Sequence, residues 1–108
     1  MALILLTIIY LVLFERENEM YDIESANQYL VAAESGDVRS QFTLAVMYSN
    51  GYGGVDKDFV LAHKWATLAA IDGNAEASML AELIIHYMSR QEIDRSRQLI
   101  QKCRANKL

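Results

Sequence analysis

At 108 residues the chain is long enough for one small domain, and its 53% hydrophobic and 22% charged residues are typical of a folded protein. A net charge of −4 without any run of Lys or Arg excludes the basic surface that nucleic acids require, so we expect no nucleic-acid partner. The single cysteine, Cys103, cannot form a disulfide within the chain.

The chain begins with an apolar run, because its first 14 residues carry no charged side chain. This run is shorter than the roughly 20 residues of a membrane-spanning helix and has the length of a signal-peptide core. No Lys or Arg precedes the run, and no small-residue cleavage site follows it in residues 13–20. We therefore expect residues 1–20 to form an uncleaved anchor or a signal-like helix with a short linker.

This interpretation predicts a membrane-associated, periplasmic or exported protein that contacts the membrane through residues 1–14. Two alternatives remain open, since a helix that is apolar on all sides can also pack inside its own domain or against a partner. In either of those cases a cytoplasmic location is the alternative.

Apolar residues recur with helical spacing along the rest of the chain. They predict helices at about 22–35, 37–50, 57–72, 75–88 and 89–104. The absence of proline suits a chain that is nearly all helical. Trp65, the only tryptophan, is predicted to be an anchor of the core.

Polar residues mark where the helices begin. Asp37 is predicted to cap the second helix, and either Asp56 or Asp58 the third, because a carboxylate there accepts hydrogen bonds from free backbone N–H groups. Ser89 and Glu92 have the spacing of a capping box at the start of the last helix.

Two similar segments, Ala32–Asp37 and Ala69–Asn74, lie 37 residues apart and both follow the pattern Ala-Ala-x-x-Gly-Asp/Asn. A period of this length is typical of repeat proteins, in which each unit buries its apolar face against its neighbours. This architecture favours a binding scaffold over an enzyme.

The residues from 36 to 70 resemble a Sel-one-like repeat, a member of the tetratricopeptide-like αα-solenoids. The most specific part is the turn Asn-Gly-x-Gly-Gly-Val-x-Lys-Asp at residues 50–58. Residues 73–77 open a second unit that lacks the glycine-rich turn, and residues 88–93 resemble the terminal helix that often closes such arrays in bacteria.

The resemblance implies an all-α fold, a short right-handed αα-superhelix preceded by the apolar N-terminal helix. Residues 21–108 would form the repeat domain. It would contain one full repeat at about 37–72, degenerate units on both sides, and a capping helix at about 89–105.

The resemblance also implies a non-catalytic adaptor that binds a protein partner, with no cofactor, no metal and no small-molecule substrate. His63, His86 and Cys103 are too far apart in sequence for a compact metal site, and His63 is expected at the edge of its helix. Residues 50–54 lack the Lys-Ser/Thr ending of a phosphate loop. The alternatives are a structural subunit of a larger envelope complex, packed through its N-terminal helix, and, more distantly, an enzyme.

In tetratricopeptide-like units the first helix of each pair lines a concave groove, where the partner binds. Helical geometry then places ten residues toward this groove: Arg39, Phe42, Val46, Ser49, Asn50, Glu76, Met79, Leu83, His86 and Tyr87. These ten are the candidate partner-binding residues.

Overall fold

The structure is a computed structural model that describes residues 2–106, apart from the side chains of residues 12–24. Its described part contains five α-helices and no strand: α1 (Ala2–Glu34), α2 (Val38–Asn50), α3 (Phe59–Ile71), α4 (Ala75–Ile85) and α5 (Arg90–Ala105). α3 lies at the centre and packs against α2, α4 and α5, while α1 packs against α2. The prediction of an all-α fold of stacked neighbouring helices is confirmed, and the arrangement is consistent with a helical solenoid.

The apolar run does not form a separate helix before the repeats. It is the first part of α1, a single helix of 33 residues. The expectation of a distinct apolar N-terminal helix is therefore not confirmed. The expected boundary between residues 20 and 21 lies within α1, and the division of the chain into these domains stays a prediction.

The localisation prediction is wrong. Among the residues that the structure describes, no helix is both long enough and apolar enough to cross a membrane. The physical reason is visible in the sequence, since the uncharged run ends at Phe14 and four charged side chains follow within residues 15–19. Residues 1–14 are therefore not supported as a membrane contact.

Local hydrogen bonds fix where the helices begin. Asp37, Asp58 and Asn74 precede α2, α3 and α4, and each side chain accepts a bond from the backbone N–H three residues later at 2.8–3.1 Å. Ser89 and Glu92 form the predicted capping box at α5. Each such cap stabilises its helix by about 1 kcal/mol and fixes the first residue of that helix. It thereby sets which side chains of the helix face the core.

The core is built from small residues around one large aromatic ring. Five alanines are completely buried: Ala45, Ala62, Ala66, Ala69 and Ala77. Their short side chains let α2 and α4 approach α3 closely. Trp65 of α3 is only 4% exposed, which confirms its predicted place in the core.

Gly51 ends α2 with φ at 76° and ψ at 35°, and its N–H donates to the Met47 carbonyl at 2.7 Å. Gly51→Ala is expected to destabilise the fold by about 1–2 kcal/mol, because a Cβ disfavours this left-handed conformation. A Cβ would meet no atom closer than 3.5 Å, so the loss is a backbone effect. Gly51→Asn should lose less, since asparagine tolerates positive φ. Urea unfolding of both variants measures this, and equal losses would contradict the explanation.

Candidate functional site

A groove runs between α2 and α4. Both helices pack firmly on α3 but touch each other far less, which leaves an open furrow along their shared face. Two cavities lie in this groove, and we name them the N-terminal cavity and the aromatic cavity. The N-terminal cavity, about 730 Å³, is lined by Val38, Arg39, Phe42, Thr43, Asn74, Ala75 and Glu76. The aromatic cavity, about 470 Å³, is lined by Ser49, Asn50, Lys57, Phe59, Leu80, Leu83, Ile84 and Tyr87.

The N-terminal cavity lies where α2 and α4 both begin. Asp37 and Asn74 fix these two helix starts, and therefore set which side chains of the first turns face the groove. Arg39 and Glu76 bring opposite charges to its two sides and are both exposed, while Phe42 is half-buried. A partner would meet here a charged rim around one aromatic side chain.

The aromatic cavity lies at the other end of the groove. Phe59 stacks on Tyr87, with ring centroids 5.6 Å apart and planes inclined by 19°. The Lys57 ammonium lies 4.9 Å from the centre of the Phe59 ring, within the range of a cation–π contact. Leu80 and Ile84 complete an apolar lining. This cavity suits an apolar side chain, with one cation at its edge.

Seven of the ten candidate residues line the two cavities. Three lie in the N-terminal cavity and four in the aromatic cavity, whereas Val46, Met79 and His86 line neither. Val46 is half-buried, while Met79 of α4 and His86, which follows the last residue of α4, are exposed to solvent. The structure thus places most of these residues along one groove, and their role in binding stays a prediction.

Four residues that line the aromatic cavity were not among the candidates: Lys57, Phe59, Leu80 and Ile84. Phe59, the first residue of α3, is half-buried and packs against the core with one side. Its partner Tyr87 lies 28 residues further along the chain, and no local signal predicts that contact. One sequence signal was available: Phe59 directly follows Asp58, the N-cap of α3. A large side chain in the first turn of a helix can lie at the edge of the core, where a cavity can form.

Tyr48 links α2 to the start of α3 behind the aromatic cavity. Its carbonyl accepts a hydrogen bond from the Asp58 N–H at 2.9 Å. Burial, and then the nearby Asp58 carboxylate, raise the pKa of the Tyr48 phenol above its usual value. A phenol is already neutral at physiological pH, since its usual pKa is about 10, and the higher pKa keeps Tyr48 uncharged to a still higher pH.

His63 forms a buried polar contact outside the groove. The prediction that it sits at the edge of its helix is wrong, because it is only 6% exposed and packs against α5. Its Nδ1 lies 2.6 Å from the Ser96 hydroxyl, and its Nε2 lies 3.5 Å from the Thr67 hydroxyl. Within the described residues, no group of three or more His, Cys, Asp or Glu side chains is arranged to hold a metal ion.

Folding stability is expected to fall as the pH drops below about 6.5, the usual pKa of histidine. Burial, and then the Arg97 charge, lower the pKa of His63 in the folded chain, so the unfolded chain binds more protons in this range. The loss should level off below the folded pKa. Urea midpoints between pH 5 and 7.5 measure it for the wild type and for His63→Gln, in which this dependence should largely disappear. His86→Gln, at an exposed histidine, should retain it, and an unchanged slope in His63→Gln would contradict the explanation.

Three helices packed on a central α3, α1 packed on α2, and a glycine-rich turn between α2 and α3 are consistent with an αα-repeat protein. The chain is 38% identical over 87 residues to the Sel1-repeat-containing protein YjcO of Escherichia coli (strain K12). The match covers 79% of this chain and 34% of that relative, and the uncharacterized protein YjcO of Shigella flexneri matches equally. The similarity supports the assignment of this chain to the Sel-one-like repeat family.

The chain spans about a third of the length of these curated relatives. No protein-family model matches the sequence. No solved structure gives a significant match either.

Proposed function

We propose that the chain is a non-catalytic interaction module that binds a protein partner in the groove between α2 and α4. One observation carries the proposal: Met79 and Leu83 of α4 and Tyr87 in the turn that follows it are 56–72% exposed, beside the aromatic cavity. Adjacent exposed apolar side chains with a polar rim are typical of protein-binding surfaces. The E. coli relative is named for its Sel1 repeats, which supports the same class of function.

The framework behind the groove is closely packed. Leu44 and Ala45 of α2 and Ala77 of α4 are completely or almost completely buried, so core packing holds both helices in place. Leu83 and Tyr87 lie outside that buried cluster and are free to contact a partner, whereas Ile84 at the base of the aromatic cavity belongs to it. A preformed surface of this kind loses little conformational entropy on binding.

The chemistry of the groove indicates how a partner would be oriented. An apolar or aromatic side chain would enter the aromatic cavity beside Phe59 and Tyr87, with Lys57 at its edge. At the other end Arg39 and Glu76 would pair with a partner's charges and fix the direction in which it lies.

A photo-crosslinking residue at Met79 of the full chain tests the site directly. It should capture a specific protein in cells of the source organism, whereas the same residue at Gln98, an exposed position on α5, should not. Equal capture at both positions would contradict a binding role for the groove. The captured protein, once purified, serves for affinity measurements.

We expect the double variant Met79→Ala/Tyr87→Ala to bind that purified protein at least about tenfold more weakly, because apolar and aromatic anchors dominate interface energies. Its free energy of unfolding should change by less than about 1 kcal/mol, since both side chains are largely exposed. Gln98→Ala/Gln101→Ala on α5 is the matched control and should leave the affinity unchanged. Calorimetric titration with the three chains measures the affinities, and urea unfolding measures the stabilities. An unaltered affinity for the groove variant would overturn the proposal.

A further inference from the structure

The first turns of α1 are apolar and uncovered. Every large apolar residue from Leu3 to Leu11 is between 51% and 80% exposed. The Thr7 hydroxyl already donates a hydrogen bond to the Leu3 carbonyl at 2.8 Å. The segment has no charged side chain, so it can be buried in an interface without burying an unpaired charge.

We propose that residues 2–11 of one chain dock into the α2/α4 groove of a second copy of the same chain. This inference rests on the proposed function of that groove as a protein-binding site, and it names the occupant. Two apolar surfaces then cover each other: the first turns of α1 in one chain and the groove of the second chain.

The segment cannot serve its own groove. α1 is continuous over 33 residues, which corresponds to a rod of about 50 Å. Its last turns are fixed in the core by Ala26, Leu30 and Ala33. The molecule is accordingly elongated, with extents of 61 × 28 × 22 Å. Residues 2–11 could reach their own groove only if α1 broke, so the contact must form between chains.

The surface areas favour a second copy that uses both surfaces. Burying one Leu or Ile side chain removes about 60–120 Å² from water, so the exposed fraction of residues 2–11 offers on the order of 500 Å². Leu83 and Tyr87 in the groove, together with Met79 beside it, add about 200 Å². A copy that donates its helix and offers its groove therefore approaches the roughly 800 Å² per partner of a stable interface.

A contact between two α1 segments would fall well short of that area. Only one face of each helix would be covered, which leaves the remaining apolar residues in water. A groove instead encloses a helix from more than one side. The charges agree at the aromatic cavity, whose one charged residue, the exposed Lys57, can keep its ammonium group in water. Arg39 and Glu76 of the N-terminal cavity are exposed as well, so they stay in water beside an uncharged segment.

Mixing two full-length variants tests the inference. In the helix variant, Leu5→Glu/Ile9→Glu places charges on the apolar segment. In the groove variant, Met79→Glu/Leu83→Glu does so on α4. All four positions are more than half exposed, so both chains should fold, which far-UV circular dichroism and the urea midpoint verify.

Sedimentation velocity at increasing concentration should show that the wild-type chain self-associates. Each variant alone should associate at least about tenfold more weakly, which corresponds to ~1.4 kcal/mol. An equimolar mixture should form a 1:1 complex, because one chain retains its groove and the other its helix. Val31→Glu and Ile71→Glu, at exposed apolar positions away from both surfaces, are the matched controls and should associate like the wild type.

A mixture that stays monomeric while the wild type associates would overturn the inference and show that the chains meet through another surface. A wild-type chain that stays monomeric at a concentration about 100 times a micromolar Kd would overturn it as well. The proposed function fails separately, since the Met79→Ala/Tyr87→Ala chain is judged by its affinity for the captured partner and not by self-association.

Discussion

Replacing Trp65 with alanine is expected to lower the free energy of unfolding by about 3–5 kcal/mol. The indole is 4% exposed and belongs to the cluster that joins the end of α1 with α2, α3 and α5. A cavity of about 290 Å³ already lies beside it, lined in part by Ala33, Gln41 and Cys103. Removing the ring would enlarge an existing space that neighbouring helices cannot easily close, so little of the loss is recovered by relaxation.

Urea unfolding followed by far-UV circular dichroism measures this loss, since the variant has no tryptophan fluorescence. Trp65→Phe should lose less, because it retains an aromatic ring in the same place. Tyr52→Ala, at an aromatic residue that is 61% exposed, should change stability by less than about 1 kcal/mol. A loss below about 1 kcal/mol in Trp65→Ala would contradict the packing that places α3 at the centre of the fold.

Leu44→Ala is expected to destabilise the chain by about 2–5 kcal/mol. Leu44 is 1% exposed and is among the largest fully buried side chains of the described residues. It lies on the face of α2 opposite the groove and belongs to the same buried cluster as Trp65. Its loss should therefore loosen the wall that holds the groove residues of α2 in place.

Leu83→Ala is the matched comparison, because it makes the same chemical change at a side chain that is 56% exposed. We expect it to lose less than about 1 kcal/mol of stability but to weaken partner binding. The two variants separate the fold from the site when urea midpoints and affinities are measured together. Similar stability losses in both would contradict the assignment of Leu83 to a binding face.

The sequence predicts those parts of the fold that depend on neighbouring residues. Asp37 caps α2 as predicted, and Ser89 and Glu92 form the predicted capping box of α5. The repeated alanine–glycine pattern predicts helices that pack against their neighbours. These features involve hydrogen bonds over three or four residues, so their signals lie within one short stretch of sequence.

Contacts between distant residues are much harder to predict. His63 meets Ser96 across 33 residues, and Phe59 meets Tyr87 across 28, so neither contact has a local signal. The boundary expected near residue 20 followed a change from apolar to charged sequence. No Pro and no Gly occurs before Gly36, however, so nothing in the backbone chemistry ends the helix there.

The contact between His63 and Ser96 also has a consequence for how α5 attaches to the rest of the chain. Ser96 is completely buried, and it faces a histidine that is nearly so. A slide of α5 by one turn would separate the Ser96 hydroxyl from Nδ1 of His63, and a buried polar atom left without a partner costs about 1–3 kcal/mol. The contact therefore favours a single register of α5 against α3, and packing in any other register carries this energetic cost.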